Sequence, residues 1–515
     1  MAAHRFQIVI VGSGFAGSLM AMVSHRLGLK TLLLERGRHP RFAIGESSTP
    51  LANLLLEELA VQYQLPGVLP LCKWGSWQSR LPEIGCGLKR GFTFFQHEPG
   101  RPFTDDPALT RQLLVGASPH ESVSDTHWYR PDFDHYLVRQ AQEMGVTYWD
   151  EVEMSRVSLE QDHVKLLGHR HEETLEVTAD FVIDATGPRG FLYQQLGLRD
   201  IGFHGFPGTQ ALYTHFEKVG SLPAGFSPTD RPLPYPPEQA AVHHVFPGGW
   251  VWVLKFNNGL TSAGVVAVDE LATQWDLRSG AKGWARFLKS LPSVAEIFKS
   301  ARATRPFVYL PRVASLSETI TGRRWAQLPS AAGVVDPLLS TGFPLALLGI
   351  VRLGNMLRKH GGNPPAGTLA QYAGRTRREL ATTARMVGAL YATMDRFEVF
   401  QDLSLLYFAA ASFSETVRRL GKPQKADGFL LYRNPAFAAR FQECCAAAER
   451  ARTPGEIASL RQQIHSAIEP FDVAGLTDRT RHPWYPALTG DLYRNAHKVG
   501  ATETEITAML KKCGI

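Results

Sequence analysis

FQIVIVGSGFAG, residues 6–17, is the stretch of the chain that decides its fold class. Its first half is a run of β-prone residues. Its second half contains Gly12, Gly14 and Gly17 in the spacing G-x-G-x-x-G, with Ala16 just before the last glycine. The first glycine permits a tight turn, the second lets the backbone approach a pyrophosphate, and the third lets a helix pack closely on the strand. The stretch therefore predicts a strand, a phosphate-binding turn and the start of a helix.

The residues that follow complete a βαβ opening. The predicted helix continues to about Leu27, a second apolar strand covers Thr31 to Leu34, and Glu35 ends that strand. In dinucleotide-binding folds an acidic residue about 20 positions after the glycines accepts hydrogen bonds from ribose hydroxyls. The glycine turn and Glu35 together predict a Rossmann-type domain that binds a dinucleotide.

The rest of the chain predicts an α/β fold with two further parts. The 515 residues exceed one ordinary domain, and we expect the Rossmann-type cofactor domain to cover 1–358. Alternating apolar residues in 250–254 and 262–268 predict a mostly antiparallel β-sheet inserted at about 205–310. Residues 359–515 are predicted to form a helical subdomain that caps the substrate.

Composition and charge argue against several classes of protein. The net charge of +7 is mild for this length, and no basic run is interleaved with aromatic residues, so nucleic-acid binding has no support. No apolar run is long enough to span a membrane. The five cysteines are odd in number and contain no C-x-x-C pair. We therefore expect no disulfide framework, no metal site and a reducing, cytoplasmic location.

Three later segments favour FAD over NAD. Asp184-Ala-Thr-Gly187 follows a buried strand, and Asp336 lies in Gly-Val-Val-Asp-Pro before a helix. Both look like the second and third nucleotide contacts of large FAD enzymes. Arg130, in YRPDFDHYL at the start of a predicted helix, resembles the arginine of those enzymes that reaches the flavin nucleotide. Only one nucleotide fingerprint is present, so no separate NAD(P)H-binding domain is visible.

Four further segments complete the pattern: RFAIGESSTP (41–50), GCGLKRGFTF (85–94), GWVWVLKF (249–256) and DPLLSTGFP (336–344). With them the sequence resembles the flavin-dependent halogenases, and most nearly the branch that acts on free phenolic compounds, the phloroglucinol type. The likeness covers nearly the whole chain and is strongest from residue 1 to about 355.

The first two segments contain the flavin contact and the catalytic group that the resemblance implies. Ser47 and Ser48 lie in the Gly-Glu-Ser stretch that contacts the flavin in the family, although a turn followed by a helix cap fits these residues equally. Lys89 occupies the segment of the family's catalytic lysine, and its glycine and phenylalanine neighbours predict a lysine embedded beside the core. Lys73 is the rival, whereas Arg90 is excluded because a guanidinium neither loses its proton nor readily forms an N-halo amine.

The third segment resembles the family's Trp-x-Trp signature. Trp250 and Trp252 match it, and Lys255 stands where proline is usual. The resemblance makes the two tryptophans walls of the substrate pocket, to which we also assign Phe94. Without the resemblance, aromatic residues on a strand that faces the core would explain the pattern.

The fourth segment resembles the family's halide-binding turn. Pro344 suits the first turn of a helix, so the N–H groups of Thr341 and Gly342 are expected at its positive end, where a halide can bind. An ordinary capped helix is the alternative. Leu339 stands where tryptophan halogenases have glutamate. We therefore assign Leu339 to the pocket and expect a phenol or another small aromatic substrate.

The resemblance implies that reduced FAD and O2 convert chloride or bromide at Thr341 and Gly342 into hypohalous acid. The acid then crosses to Lys89, where it is held by a hydrogen bond or as an N-halo amine and meets the aromatic ring. Ser412 is a candidate hydrogen-bond partner for a phenol, although the aromatic stripe around it also fits a plain helix core. No base for the ring proton is identified.

The expected partner is a separate NAD(P)H-dependent flavin reductase that supplies FADH2 by diffusion, and the sequence does not indicate an oligomeric state. Two alternatives stay open. A flavin-dependent aromatic monooxygenase would hydroxylate without halide, and Lys255 and Val334 depart from the halogenase pattern enough to leave room for it. An FAD-binding protein without halogenating activity, such as a redox sensor, would form no oxidant.

Overall fold

The computed structural model describes residues 4–226 and 232–515 of the chain. Two large sheets organise these residues, one of eight strands that is mostly parallel at its centre and one of nine strands that is mostly antiparallel. Helices cover the sheets and form most of the structure after residue 342. The α/β class, the inserted sheet and the helical C-terminal part are confirmed.

The eight-stranded sheet contains the predicted βαβ opening. His4–Val11 pairs in parallel with Thr31–Leu34 on one side and with Glu173–Asp184 on the other. The spatial order of its strands is Thr321–Gly322, Trp325–Gln327, Glu173–Asp184, His4–Val11, Thr31–Leu34 and Thr147–Trp149, with Val164–Arg170 paired to Glu173–Asp184 and Val152–Leu159 paired to Val164–Arg170.

The register of this sheet brings three predicted cofactor positions together. Val11 lies opposite Leu34 on one side and opposite Asp184 on the other. Because the three strands run in the same direction, the glycine turn, Glu35 and Asp184 share the edge where these strands end. Open α/β sheets bind their ligands at this edge.

The nine-stranded sheet extends beyond the predicted span of 205–310. Its strands in spatial order are Arg302–Ala303, Thr209–Glu217, Leu260–Val268, Gly249–Lys255, Ala241–Phe246, Gly91–Gln96, Gln112–Gly116 and Trp484–Tyr485, with Val308–Leu310 also paired to Thr209–Glu217. Three of these strands lie outside 205–310, because pairing between strands depends on their position in space and not on their separation in sequence.

Two small antiparallel ladders complete the β structure. Ser315–Leu316 pairs with Gly333–Val334. Cys86–Lys89 pairs with Asp125–Trp128, and its register places Lys89 directly opposite Asp125. The second ladder therefore brings a basic and an acidic residue side by side.

Sixteen α-helices are present in the described residues. They are Phe15–Arg26, Pro50–Gln62, Trp74–Arg80, Arg130–Glu143, Phe191–Gln195, Asp269–Gln274, Ala281–Ser290, Pro292–Ile297, Pro329–Ala332, Gly342–Lys359, Ala366–Tyr391, Phe397–Arg419, Pro435–Arg450, Pro454–Ile468, Thr489–Arg494 and Glu503–Cys513.

The C-terminal helices share one core with the cofactor domain. The predicted division between 358 and 359 falls at the end of Gly342–Lys359, but the largest apolar cluster crosses it. Leu19, Ile350, Leu403 and Ile464 are all fully buried members of this cluster. The C-terminal helices therefore pack directly on the cofactor domain and do not stand apart from it.

A buried ion pair joins two helices of this shared core. The Arg352 guanidinium donates to both carboxylate oxygens of Glu379 at 2.5 and 2.6 Å, and the Phe429 N–H donates to the same carboxylate at 2.9 Å. Replacing Glu379 with alanine is expected to lower the free energy of unfolding by about 3–5 kcal/mol, because it leaves a buried guanidinium without its partner. Chemical denaturation measures this change.

The exposed pair Arg199–Glu318 offers a matched comparison for that substitution. Because solvent screens an exposed pair, the Glu318→Ala variant should unfold at nearly the same denaturant concentration as the wild type. Equal destabilisation by Glu379→Ala and Glu318→Ala would contradict the role given to the buried pair.

Candidate active site

The glycine turn is packed too closely for side chains at two of its three glycines. Gly12 has a φ of +99°, and a Cβ there would lie 2.7 Å from the carbonyl oxygen of Ala185. A Cβ on Gly17 would lie 1.8 Å from the carbonyl oxygen of Gly12. The turn therefore needs glycine where the strand, the helix and the neighbouring strand end meet.

A helix N-terminus faces this turn. Gly14 is the N-cap of Phe15–Arg26, and Ala16, which is buried, lies in the first helical turn. The first N–H groups of a helix have no partner within the helix, and they carry a partial positive charge. The arrangement can hold a phosphate group.

Glu35 is buried beside the turn and fully engaged. One carboxylate oxygen accepts from the Ser13 N–H at 3.1 Å, the Ser13 hydroxyl at 2.8 Å and the Arg41 guanidinium at 2.9 Å, and the other accepts from the Gly37 N–H at 3.0 Å. Burial raises the pKa of Glu35, but Arg41 and these hydrogen bonds outweigh burial and lower the pKa to about 2. The carboxylate is therefore an ionised acceptor at neutral pH.

Arg130 does not lie on the helix surface. Its guanidinium donates to Asp134 at 2.7 and 2.8 Å and to the carbonyl oxygens of Ile44 and Gly45 at 3.0 Å. A Cβ on Gly14 would lie 3.4 Å from this guanidinium. Arg130 therefore connects the 41–50 segment with the glycine turn.

Asp184 and Gly187 shape the neighbouring loop. The buried Asp184 carboxylate accepts from the N–H and hydroxyl of Thr186 at 2.9 and 2.6 Å and from the Leu192 N–H at 2.8 Å. Gly187 has a φ of +86°, and a Cβ there would meet no atom within 4 Å. In this structure Asp184 holds a turn, and Gly187 borders open space.

The residues at this edge fit FAD. Two buried polar atoms beside the turn, Arg41 Nε and His39 Nδ1, and one in the neighbouring 41–50 segment, Glu46 Oε2, have no partner among the described residues. Together with the helix N-terminus, they supply donors and an acceptor for a charged, hydroxyl-rich ligand. Arg41 and His39 were not assigned from the sequence, although Arg41 opens the quoted segment 41–50.

Asp336 belongs to a buried chain of hydrogen bonds. Trp250 Nε1 donates to the Tyr391 hydroxyl at 3.1 Å, and that hydroxyl donates to Asp336 Oδ2 at 2.9 Å, while the Leu338 N–H donates to Oδ1 at 2.9 Å. Burial raises the pKa of Asp336 to about 7, against the effect of the donors. Asp336 is thereby tied to the inserted sheet and to the helix Ala366–Tyr391.

The predicted halide turn stands at the start of a long helix. Thr341 is the N-cap of Gly342–Lys359, and a Cβ on Gly342 would meet no atom within 4 Å. Ser340, just before it, has a φ of +55°, which is unusual for a residue other than glycine. The Phe343 ring stacks on Trp128 with centroids 4.1 Å apart, so the turn packs against the strand that pairs with Cys86–Lys89.

Lys89 is fully buried, as the sequence predicts. Its amine donates to the Ser47 hydroxyl at 2.8 Å and to the Ser48 carbonyl at 2.5 Å, and it lies 3.8 Å from the centroid of the Phe92 ring. Burial lowers the pKa of the Lys89 ammonium, and the charge of Asp125 opposes that effect. The structure thus joins the predicted catalytic lysine directly to the predicted flavin-contact segment.

Asp125 is the site residue that sequence reasoning missed. It is buried opposite Lys89, and Asn53 Nδ2 donates to its Oδ1 at 2.9 Å. Burial raises the pKa of Asp125, and the positive charge of Lys89 opposes that rise. The available signal was an acidic residue at the first position of the short strand before Arg130, but only the strand register shows that it faces Lys89.

A cavity of about 200 Å³ lies beside this pair. Its wall includes Thr49, Asn53, Phe92 and Asp125 around the lysine, and Tyr407, Phe408 and Ser412 from the helix Phe397–Arg419. Lys89 itself is not one of the lining residues, but it shares Phe92 and Asp125 with the cavity as neighbours. The Tyr407 hydroxyl donates to the Leu339 carbonyl at 3.0 Å, which connects this wall to the halide turn.

Of the side chains predicted for the substrate pocket, Ser412 lines this cavity. The other four do not: Phe94 packs behind Phe92 and Phe408, Leu339 lies behind Tyr407, Trp250 bonds to Tyr391, and Trp252 donates to Ser262. All four are buried among other core groups. These four side chains do not line this cavity because other core groups surround them, and their assignment to the substrate pocket stays a prediction.

Lys73, the rival to Lys89, lines the cavity near the C-terminal helix. Its amine donates to the carbonyl oxygen of Cys513 at 2.9 Å and is only partly buried. The structure therefore separates the two lysines by environment: one is enclosed with Ser47 and Ser48, and the other contacts the end of the chain.

No helix within residues 4–226 and 232–515 combines the length and apolarity needed to cross a membrane. No three His, Cys, Asp or Glu side chains within those ranges are grouped in a way that would hold a metal ion.

Comparison with protein families identifies one match. Residues 125–402, more than half of the chain, match the family model described as tryptophan halogenase. This span includes Asp125, Arg130, Asp336, Thr341 and Gly342 but neither the glycine turn nor Lys89.

Curated relatives are similar over about two thirds of the chain. The monodechloroaminopyrrolnitrin halogenase of Pseudomonas fluorescens is 29% identical over 345 residues, which are 66% of this chain and 59% of the relative. The tetracycline 7-halogenase of Kitasatospora aureofaciens is 28% identical over 348 residues, 65% of this chain and 60% of the relative. The match thus spans less than two thirds of the length of these relatives.

Solved structures share the fold of the chain. The halogenase PltM in complex with phloroglucinol and FAD superposes with a TM-score of 0.80 at 24% identity, covering 93% of this chain and 99% of that chain. The flavin-dependent halogenase CmlS superposes with a TM-score of 0.57 at 21% identity, covering 90% of this chain and 77% of that chain.

Proposed function

The chain belongs to the tryptophan halogenase family of flavin-dependent halogenases, and from that premise we propose that it halogenates a small, electron-rich phenolic compound with FADH2, O2 and chloride or bromide. The observation that carries this proposal is the enclosed amine of Lys89. It donates to Ser47 and Ser48, in the segment that contacts flavin in the family, and it adjoins the wall of a cavity.

The proposed cofactor site lies at the edge of the eight-stranded sheet where its parallel strands end. Gly12, Gly14 and the helix N-terminus would hold the pyrophosphate, and Glu35 would accept from a ribose hydroxyl. When bound and reduced, FAD would supply the two electrons that reduce O2 to the peroxide level, and oxygen at that level can oxidise halide to hypohalous acid. The halide is proposed to bind at Thr341 and Gly342, where the helix N-terminus favours an anion.

Lys89 acts on the oxidant after it has formed. Its ammonium can hold hypohalous acid by a hydrogen bond, or its free amine can form an N-halo amine, and burial favours the uncharged amine. Either form keeps a reactive halogen beside the substrate cavity and away from bulk water. Proximity and enclosure thereby direct the halogen to the ring.

A phenolic substrate is favoured by three features. Leu339 stands where tryptophan halogenases have glutamate, Ser412 lines the cavity as a hydrogen-bond partner, and PltM, which shares the fold, was crystallised with phloroglucinol. A cavity of about 200 Å³ is large enough for a compound with one aromatic ring. We also propose that a separate NAD(P)H-dependent flavin reductase supplies FADH2 and that the protein acts in the cytoplasm, where its five free cysteines stay reduced.

The test combines the protein with FAD, a flavin reductase, NADH and a panel of phenols, with and without chloride or bromide. Product masses should show one or two halogen atoms added to at least one phenol, only when halide is present. Hydroxylated products without halide would show an aromatic monooxygenase, and FADH2 consumption without any product would show an FAD-binding protein that does not halogenate. Either of these results would overturn the proposal.

A further inference from the structure

Two buried oxygens in the cavity wall have no hydrogen-bond partner among the described residues: Asp125 Oδ2 and Asn53 Oδ1. Both residues line the cavity, and their exposed fractions are 6% and 3%. Asn53 Nδ2 donates to the other oxygen of Asp125, which fixes the carboxyl group and leaves its second oxygen free. A buried acceptor without a donor is costly, so this wall is built for a ligand that donates.

We propose that Asp125 is the catalytic base that accepts the hydroxyl proton of the phenol during halogenation. This inference rests on the proposed function and concerns the hydroxyl proton, not the ring proton for which the sequence gave no base. Its geometric basis is the free Oδ2 in the cavity wall, opposite Lys89 in the ladder of Cys86–Lys89 and Asp125–Trp128.

The electrostatic setting supports a base at this position. The charged groups that act on Asp125 are Lys89 from the facing strand and Glu415 and Arg419 from the helix Phe397–Arg419. Burial raises the pKa of Asp125, so its carboxylate is a stronger base than an exposed one, while Lys89 keeps it ionisable. No ion pair shorter than 4.0 Å joins Asp125 and Lys89 within the described residues, so Oδ2 is a buried acceptor without a donor.

The phenol O–H bond breaks and its proton passes to Asp125, which makes the ring carbon a stronger nucleophile. A carbon–halogen bond forms while the halogen–oxygen bond of hypohalous acid breaks, and the oxygen leaves as water with a proton from the Lys89 ammonium. The ring C–H proton then passes to the Lys89 amine, and Asp125 returns its proton to the ring oxygen.

The experiment compares kcat/KM of the wild type and Asp125→Asn on two phenols, one weakly acidic and one acidic enough to be ionised at the assay pH. For the weakly acidic phenol the substitution should reduce kcat/KM by about 100-fold or more, the contribution of a general base. For the ionised phenol, which has no proton to give, the loss should be less than about tenfold. The Asp427→Asn variant is the matched control, since it makes the same chemical change at a carboxylate that accepts from Arg375 at 2.9 Å and lies outside the cavity wall. It should leave the ratio between the two phenols as in the wild type.

Equal losses on both phenols, or no loss on either, would overturn the assignment of Asp125 while leaving halogenation by the wild type intact. Absence of halogenated product from the wild type would instead reject the proposed function. If Asp125→Asn does not fold, the pH profile of the wild type on the weakly acidic phenol decides. A plateau reached well below the pKa of that phenol supports the base, and a rate that rises up to that pKa contradicts it.

Discussion

Replacing Lys89 with methionine should reduce ring halogenation by about 10²–10⁴-fold while FADH2 oxidation by O2 continues. Methionine preserves most of the length and volume of the buried side chain but cannot hold hypohalous acid or form an N-halo amine. The variant loses the hydrogen bonds to Ser47 and Ser48, which leaves two acceptors without their donor. Product mass spectrometry measures halogenation, and NADH and O2 consumption measure flavin turnover in the same reaction.

Lys73→Met provides the comparison for this experiment. Lys73 also lines the cavity, but its amine bonds to the carbonyl oxygen of Cys513 and is only partly buried. Ring halogenation should therefore survive the loss of Lys73 better than the loss of Lys89. If Lys89→Met still halogenates and Lys73→Met does not, the two lysines must exchange the roles given to them here.

Replacing Gly17 with alanine should abolish FAD binding at micromolar cofactor and destabilise the fold. The new Cβ would lie 1.8 Å from the Gly12 carbonyl oxygen, and that atom belongs to the backbone, so the turn itself must move. Overpacking of this kind costs about 3 kcal/mol of folding free energy. Loss of one or two hydrogen bonds from the turn to a phosphate would weaken FAD binding by roughly 100-fold. Flavin fluorescence titration and thermal unfolding measure the two effects.

Gly367→Ala is the control for that substitution. Gly367 lies in the first turn of Ala366–Tyr391, and a Cβ there would meet no atom within 4 Å. Its variant should bind FAD normally and gain about 0.4–1 kcal/mol of stability, because alanine restricts the unfolded chain. Normal FAD binding by Gly17→Ala would show that the turn tolerates displacement and that its close packing is not required.

Local sequence patterns were enough to predict the secondary structure at the start of the cofactor domain. The run from Phe6 to Gly17 predicted a strand, a turn and a helix, and the structure has His4–Val11 followed by Phe15–Arg26. The predicted burial of Lys89 was also correct. Its segment is rich in glycine and phenylalanine, two residue types that are often fully buried, and the Lys89 side chain is fully buried there. The division at 358/359 and the individual cofactor contacts stay predictions.

The residues predicted for the substrate pocket agree less well with the lining of the cavity. Aromatic residues of the strands, such as Trp250 and Phe94, were assigned to the pocket, whereas the cavity is walled by Phe92, Tyr407 and Phe408. Phe92 and Phe94 share one face of their strand, so alternation does not tell which position along that face borders a cavity and which borders the packed core.

The amino-acid sequence by itself determined the Rossmann-type opening, the family resemblance and the burial of Lys89, because each depends on residues that are close together along the chain. The tertiary structure decided which groups surround that lysine. Asp125 and Asn53 reach it from elements 36 residues or more away in sequence, through strand register and helix packing. Such contacts depend on how all the elements pack, and no local pattern encodes them.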